Sequence, residues 1–206
     1  MIVKMCGIRR MEDAEYANEV HPDYVGFVFA ESKRKVTGEM AAKLREKLGK
    51  EIRCVGVFVN EEPEQIARIA AQVPLDVIQL HGDEGEEQIQ KLRSLCGQEI
   101  WKAARVRTVK DMEDVQKLSA DRILLDSFSK EAYGGTGKTI DLDLLRKANI
   151  TKPYLLAGGL TTENLKYILD QIHPEGIDLS SGIETNGCKD LSKMREIMKI
   201  AGGNDE

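Results

Sequence analysis

Three side chains that can move a proton each stand at the end of a short apolar run. Cys6 ends the run MIVKMC, His81 follows VIQL, and Asp126 ends RILLD. A thiolate can act as a general base, and a carboxyl group at the end of an apolar strand is desolvated, which suits a general acid. Each residue also has a plainer interpretation: Cys6 as a core thiol, His81 as a turn residue, and Asp126 as a helix cap or ion-pair partner.

The segment KMC indicates how a reactive thiol could be supported. In a β-strand, alternation places Ile2, Lys4 and Cys6 on one face. If that face points into a barrel, the Lys4 ammonium lies one layer below the thiol and favours the thiolate. Asp178, in the last apolar run of the chain, would neutralise Lys4 if the first and last strands pair. We therefore predict that Cys6 is a base and that Lys4 is its supporting charge.

Two glycine and serine stretches near the end of the chain predict a phosphate site. AGGL and SSGIE each follow an apolar run. Small residues let backbone N–H groups come close to a phosphate, with Gly159, Ser181 and Gly182 as the donors. Gly158 and Ser180 belong to the same two loops. In an eight-stranded α/β barrel, the loops after strands 7 and 8 are the usual phosphate site. The alternative is a pair of turns that only close the barrel.

Further residues could contact a ligand. Arg34, in ESKRKV, could bind a carboxylate through two parallel hydrogen bonds, or it could be a solvated loop charge. Gln79 lies within the run VIQL. The stretch GGTGKT at 134–139 resembles a nucleotide P-loop, but the pattern requires glycine where Ala132 stands. We interpret the stretch 126–141 instead as a loop that closes over a ligand, with Gly135 as a further backbone donor.

The elements that must position these residues alternate between strands and helices. Eight short runs rich in Val, Ile, Leu, Phe or Tyr are predicted to be strands, at 2–6, 24–29, 52–59, 76–80, 99–104, 122–126, 153–157 and 176–180. Amphipathic stretches such as GEMAAKLREKLG and TENLKYILDQI lie between them. The strand count and the lack of GxGxxG after the first strand favour a closed (β/α)8 TIM barrel over an open doubly wound sheet. Because no linker interrupts the pattern, we predict a single α/β domain over residues 1–206.

Polar residues at the carboxyl ends of the strands predict where the active site lies. In a (β/α)8 barrel these ends gather at one mouth. The strands end in, or lead into, Cys6, Arg34, Asn60, Gln79, His81, Lys102, Arg105, Asp126, Gly158, Gly159, Ser180, Ser181 and Gly182. Little comparable is expected at the opposite end. We therefore predict an acid–base site beside a phosphate site at this mouth.

Composition narrows the functional classes. The formal net charge of −5 gives no basic field for a nucleic acid. No apolar segment approaches the roughly 20 residues of a membrane span, and no signal-peptide pattern is seen. The four cysteines form no CxxC pair, so disulfides and a zinc cluster are not expected, and Cys54 is interpreted as a core residue. We expect a cytoplasmic protein with no nucleic-acid or membrane partner.

Eight motifs, in order along the chain, resemble phosphoribosylanthranilate isomerases of tryptophan biosynthesis. They are KMCGI, GFVF followed by SKRKV, VGVFVN, QLHGDE, LLDS, GGTGKTIDL, LAGGL and DLSSGIE. The resemblance implies a (β/α)8 barrel and an Amadori rearrangement that needs no metal and no organic cofactor. It implies N-(5'-phosphoribosyl)anthranilate as the substrate and 1-(2-carboxyphenylamino)-1-deoxyribulose 5-phosphate as the product. It also implies a monomer or a homodimer.

Matched by motif, Cys6 corresponds to the general base of that family and Asp126 to its general acid. Arg34 corresponds to the arginine near the anthranilate carboxylate, and the last two loops correspond to the phosphate site. Lys33 is a departure, because many members have proline between the serine and the arginine. We expect this change to loosen the loop that carries Arg34.

Two other readings stay open at this point. One is another phosphosugar enzyme on the same barrel, such as indole-glycerol-phosphate synthase or a ribulose-phosphate epimerase. The synthase would use lysine and glutamate at its strand ends, and the epimerase would hold a metal with histidines, of which the chain has three. The other is a phosphosugar-binding protein without catalysis, which would keep the last two loops but would not need Cys6 and Asp126 together.

Overall fold

A computed structural model describes residues 1–127 and 141–202, and within them eight parallel strands close into a barrel. The strands are β1 (Ile2–Cys6), β2 (Tyr24–Val28), β3 (Arg53–Phe58), β4 (Val77–Leu80), β5 (Glu99–Val106), β6 (Arg122–Ser127), β7 (Tyr154–Leu156) and β8 (Gly176–Leu179). Each strand pairs with the next, and β8 closes onto β1 with Asp178 opposite Lys4. The predicted (β/α)8 barrel is therefore confirmed, and the predicted strand limits agree with the structure to within two residues.

Eight α-helices lie between or after these strands in the described residues. They are α1 (Met11–Val20), α2 (Gly38–Lys47), α3 (Pro63–Gln72), α4 (Glu86–Leu95), α5 (Val109–Val115), α6 (Leu142–Lys147), α7 (Leu165–Gln171) and α8 (Leu191–Gly202). Local sequence explains several helix starts. Pro63 is the first residue of α3, and the Thr37 and Thr108 side chains accept from the backbone N–H of Met40 and Asp111. A 3-10 turn (Ser181–Ile183) and the short strands β9 (Glu184–Thr185) and β10 (Cys188–Lys189) connect β8 to α8.

Alternation along the strands divides the buried side chains into two cores. The larger core fills the space between the strands and the helices, and Cys54 belongs to it, as predicted. The smaller core fills the barrel interior with residues such as Tyr24, Val57, Trp101 and Leu124. Cys6 belongs to the interior core, so the face of β1 that carries Cys6 points into the barrel, as the alternation predicts.

The opposite end of the barrel carries more charge than the sequence led us to expect. Arg53 and Arg122 both bind Glu99, and Arg122 also forms two hydrogen bonds with Glu175. These residues stand at the amino ends of their strands, and Arg53 also contacts the Tyr24 ring. The prediction that polar groups are scarce at this end is therefore wrong. Because these charges pair with one another, they close the bottom of the barrel rather than form an open site.

None of the helices in residues 1–127 and 141–202 combines the length and the apolar character that crossing a bilayer requires.

Candidate active site

A cavity of about 320 Å³ opens at the carboxyl ends of the strands. It is lined by Cys6, Val28, Ala30, Glu31, Ser32, Arg34, Val57, Val59, His81, Asp126, Ala157, Gly158, Gly159, Leu160, Asp178, Leu179, Ser180 and Ser181. Eight of the predicted site residues are therefore brought to one cavity, although they come from six different strand ends. The apolar members of the wall give the cavity a surface for a ring, next to a few convergent polar groups.

The other predicted site residues lie in different places. Gln79 is fully buried in the barrel interior and reaches the cavity wall only through His81. Gly182 follows Ser181 in the 3-10 turn after β8. Gly135 lies outside the described residues, as does most of the loop that was expected to close over a ligand.

Cys6 lies above a buried ion pair. The Lys4 Nζ donates to Asp178 Oδ1 at 2.8 Å, and both side chains are buried. Gly26, on the neighbouring strand, leaves room for the thiol, because a Cβ there would lie 2.7 Å from Cys6 Sγ. The predicted neutralisation of Lys4 by Asp178 is confirmed. Burial alone would lower the pKa of Lys4, but the charges of Asp178 and Cys6 raise that pKa, so the ammonium is retained.

Burial and the neighbouring charges act on the pKa of the Cys6 thiol in opposite directions. Burial raises the pKa of the Cys6 thiol, while the nearby Lys4 and Lys189 ammonium groups act in the opposite direction without cancelling the burial. The prediction that Lys4 favours the thiolate is right in sign. The pKa of the thiol nevertheless stays above its ordinary value, because the desolvation of a fully buried sulfur outweighs the two ammonium groups.

Asp126 lies in a chain of hydrogen bonds with two residues of the β4 segment. His81 Nε2 lies 3.1 Å from Asp126 Oδ2, and Gln79 Nε2 lies 2.9 Å from His81 Nδ1. Asp126 is only 3% exposed and borders the cavity. Its other oxygen, Oδ1, packs against Gly158, where a Cβ would lie 2.6 Å away. A carboxyl group held on one side by an imidazole and facing a cavity on another can exchange a proton with a ligand.

The loops after β7 and β8 meet at glycines whose geometry admits no side chain. Gly158 and Gly159 have φ values of 87° and 64°, which L-residues rarely adopt. A Cβ on Gly182 would lie 1.8 Å from the Leu160 carbonyl oxygen, so the two loops touch there. Asn164 fixes the first loop by donating to the Gly159 carbonyl and accepting from the Thr161 N–H. This close approach of two loops is what a backbone phosphate site needs.

Arg34 stands at the cavity but is already engaged by a carboxylate. Its Nε and Nη2 each donate to Glu184 at 2.7 Å, and Lys189 Nζ donates to the same carboxylate at 2.8 Å. Burial alone would raise the pKa of Glu184, yet the Arg34 and Lys189 cations hold that pKa at about 2. Ser32 supports the same loop by accepting from the Arg34 backbone N–H. Two of the guanidinium nitrogens are therefore fixed by the protein, which leaves Nη1 and the second Nη2 hydrogen for a ligand carboxylate.

Sequence reasoning missed Glu184 and Lys189 as members of this site. Glu184 is the last residue of the SSGIE motif, and its position directly after the predicted phosphate loop was a signal that we did not use. Lys189 is 5% exposed and also donates to the Ser180 carbonyl. It belongs to a two-residue strand, which gives too short a pattern to recognise.

Three polar strand-end residues do not reach the cavity. Lys102 Nζ is buried beside Glu84 and donates to it and to three carbonyl oxygens. Arg105 binds Asp83 at 2.6 Å. Asn60 accepts from the Asp83 N–H, with a φ of 50°. These residues stand at the strand ends as expected, but they organise the segment after β4 and do not line this cavity. Among the described residues, no group of three His, Cys, Asp or Glu side chains is placed to hold a metal ion.

Fold and cavity together define the class of protein: a (β/α)8 barrel of the kind found in enzymes, whose cavity at the carboxyl ends of the strands is lined by a thiol, an imidazole and a carboxyl group. Comparison with known families is more specific. The sequence model of the N-(5'-phosphoribosyl)anthranilate (PRA) isomerase family matches residues 3–200. The chain is 43% identical over 201 residues to N-(5'-phosphoribosyl)anthranilate isomerase of Thermoanaerobacter sp. (strain X514), with 98% of both chains covered. The chain belongs to the N-(5'-phosphoribosyl)anthranilate isomerase family.

Solved structures agree with this assignment. Phosphoribosyl anthranilate isomerase from Thermotoga maritima superimposes with a TM-score of 0.88 at 38% identity, over 99% of this chain and 100% of that one. A structure of the same kind of isomerase, in complex with reduced 1-(o-carboxyphenylamino)-1-deoxyribulose 5-phosphate, has a TM-score of 0.84 at 36% identity and the same coverage. The protein is therefore an enzyme of tryptophan biosynthesis, an intramolecular isomerase of the aldose–ketose type, and it acts on a small phosphorylated substrate.

Proposed function

We propose that Cys6 and Asp126 carry out the Amadori rearrangement of N-(5'-phosphoribosyl)anthranilate to 1-(2-carboxyphenylamino)-1-deoxyribulose 5-phosphate. Cys6 is the general base and Asp126 is the general acid. The observation that carries this proposal is that a thiol and a carboxyl group from different strands border the same cavity as the two glycine loops. A phosphosugar held by those loops would lie with its sugar carbons between the two groups.

Ring opening and enolisation require the enzyme to give the substrate one proton and to take one from it. Asp126 donates its proton to the furanose ring oxygen while the bond between that oxygen and C1 breaks, which gives a protonated Schiff base. The Cys6 thiolate then removes the proton from C2, and the electron pair of that bond forms the enolamine. The enolamine then loses its C2 hydroxyl proton to solvent and gains a proton at C1 from solvent, which gives the ketone. The substrate gains one proton from Asp126 and loses one to Cys6, so the two groups exchange states and solvent restores them.

The roles of the remaining residues follow from the two charged ends of the substrate. The backbone N–H groups of Gly159, Ser181 and Gly182 bind the phosphate. Arg34 binds the anthranilate carboxylate with the donors that Glu184 leaves free. A substrate that brings its own carboxylate to a half-buried arginine is distinguished from a simple phosphosugar.

Other predicted ligand contacts belong to the same proposal. Gly158 and Ser180 complete the phosphate loops, and His81 contacts the sugar. The relative solved with the reduced product analogue supports a ligand of this shape.

The proposal extends to three properties of the whole chain. Residues 1–206 form one domain, the enzyme is cytoplasmic, and it is a monomer or a homodimer. A biosynthetic role supports the location. The relative from Thermotoga maritima is described as dimeric, with monomers generated from it, which supports both oligomeric states.

Turnover of N-(5'-phosphoribosyl)anthranilate, followed by the fluorescence of the anthranilate group, tests the function. Cys6→Ser and Asp126→Asn keep the size of each side chain but remove the base and the acid. We expect each to lower kcat by about 100- to 10,000-fold while KM changes much less. Wild-type protein without turnover would contradict the function itself. Near-normal kcat in either variant would remove that residue from the mechanism.

Cys54→Ser is the matched control for the thiol. Cys54 is fully buried in the outer core, where burial raises the pKa of its thiol to about 12. Its replacement should lower stability without a specific loss of kcat. Equal losses of kcat in Cys6→Ser and Cys54→Ser would mean that the loss reports folding and not proton transfer.

A further inference from the structure

The interaction between Gln79 and His81 has a consequence for the acid. Gln79 projects into the barrel interior from β4, and His81 follows the end of that strand. The Gln79 amide nitrogen approaches His81 Nδ1 at 2.9 Å, and His81 Nε2 approaches Asp126 Oδ2 at 3.1 Å. Because an amide nitrogen can only donate, Nδ1 must accept. A neutral imidazole that accepts at Nδ1 carries its proton on Nε2, so it donates to Asp126.

The surroundings of Gln79 favour this orientation of its amide. Its in-register neighbours are Val57 on β3 and Trp101 on β5. Val57 has no polar side-chain atom, and the Trp101 indole can only donate. Within the described residues, Trp101 Nε1 and Gln79 Oε1 are both buried without a hydrogen-bond partner. A reversed amide would place the Nε2 donors where Oε1 now stands, and neither of these two neighbouring side chains offers them an acceptor.

We propose that Gln79 is a positioning residue that fixes His81 in the Nε2–H tautomer, so that His81 donates to Asp126 and cannot take a proton from it. In the opposite tautomer, Nε2 would carry a lone pair directed at the acid. His81 would then compete with the furanose ring oxygen for the same proton.

The chemical benefit arises when Asp126 has given up its proton. The carboxylate that forms is stabilised by the Nε2–H of His81, which is already in place and needs no reorganisation. Gln79 itself does not touch the cavity, so its effect on binding should be small. This part of the inference rests on the proposed function, in which Asp126 is the acid. The tautomer does not depend on that function and can be measured separately.

The test is the ¹⁵N spectrum of the imidazole rings, recorded alongside steady-state kinetics. The chain has three histidines, at 21, 81 and 173, and His81→Gln identifies the His81 signals. Protonated and unprotonated ring nitrogens of a neutral imidazole resonate far apart. We expect Nε2 of His81 to be protonated and Nδ1 to be unprotonated in the wild-type enzyme.

Two substitutions at Gln79 then test the cause. Gln79→Met removes the donor and should let both tautomers of His81 be populated. We expect kcat to fall by about 10- to 100-fold with KM nearly unchanged, by analogy with the loss found when a partner that orients a metal-ligating histidine is removed. Gln79→Glu offers only acceptors once its carboxyl group is ionised, so His81 Nδ1 should become protonated in that variant at a pH high enough to ionise it.

Gln98→Met is the matched control. Gln98 precedes β5 at the other end of the barrel, and its Oε1 is likewise buried without a partner in the described residues. That variant should leave the His81 spectrum and kcat unchanged.

Protonation of Nδ1 in the wild-type enzyme would overturn the proposal. So would an unchanged His81 spectrum in Gln79→Met or Gln79→Glu, or normal kcat in a Gln79→Met enzyme whose tautomer has changed. If Gln79→Met does not fold, the spectra of the wild type and of Gln79→Glu still decide. If the wild type shows no isomerase activity, the proposed function fails, while the spectra alone decide whether Gln79 sets the tautomer.

Discussion

Replacing Lys4 with methionine tests whether a buried charge supports the thiol. Methionine matches the length of the lysine stem and removes only the ammonium. In the wild type that ammonium pairs with Asp178 at 2.8 Å and lowers the pKa of Cys6, while burial raises it. Lys4→Met leaves burial to act on the thiol with only Lys189 to oppose it. The pKa of Cys6 should therefore rise further.

The expected loss of activity follows from this shift. An opposite charge within about 4–6 Å typically changes a pKa by roughly 1–3 units. Only the thiolate is a base, so below the pKa its fraction falls about tenfold for each unit of increase. At neutral pH, kcat/KM should fall by about 10- to 1,000-fold. The loss should shrink as the pH rises, because the thiolate fraction of the wild type levels off while that of the variant still increases.

The same substitution has a separate cost in stability. Removing one partner of a buried ion pair typically costs about 3–5 kcal/mol, because the other charge stays buried. Burial already raises the pKa of Asp178 with Lys4 beside it. In Lys4→Met, Asp178 is protonated and tolerated at low pH, and the loss of stability grows as the pH rises through that raised pKa. Adding Asp178→Asn should recover part of the loss, because neither charge is then buried alone.

The assay is kcat/KM for N-(5'-phosphoribosyl)anthranilate over a range of pH, together with thermal unfolding of the same variants. Lys152→Met is the control, because Lys152 donates to two carbonyl oxygens at the far end of the barrel and should not alter the pH profile. A Lys4→Met enzyme with the same fractional loss at every pH would refute the electrostatic argument. Such a result would make Lys4 a purely structural partner of Asp178.

Two further predictions concern substrate binding. Gly159→Val should raise KM strongly, because a β-branched residue is strained at a φ of 64° and blocks the approach of a phosphate. Ser181→Ala should change KM little, since Ser181 uses its backbone N–H. Equal KM values for the two variants would place the phosphate elsewhere. Arg34→Lys should raise KM by about 10- to 100-fold with a smaller effect on kcat, because lysine cannot bind Glu184 and a ligand carboxylate through a planar fork. A fall in kcat at constant KM would show instead that Arg34 acts on the chemical step.

Most of the fold and the main members of the site were predictable from local sequence patterns. Short apolar runs separated by amphipathic stretches predict β1 to β8, since buried parallel strands and surface helices have different periodicities. Parallel strands place all their carboxyl ends at one mouth, so the types of Cys6 and Asp126 and the glycines of AGGL were enough to predict a shared cavity. That Lys4 and Asp178 both point into the barrel followed from strand alternation together with the pairing of the first and last strands.

Tertiary structure decided how these groups are paired and charged. Arg34 and Glu184 are 150 residues apart, and His81 and Asp126 are 45 apart, so neither contact leaves a local pattern. Lys102 and Arg105 stand at a strand end like the site residues, yet they bind Glu84 and Asp83 and do not line the cavity. The sequence shows that Cys6 has a lysine two residues away. Only the packed barrel shows that burial outweighs that lysine, because desolvation depends on all the atoms around the sulfur and not on its neighbours in the chain.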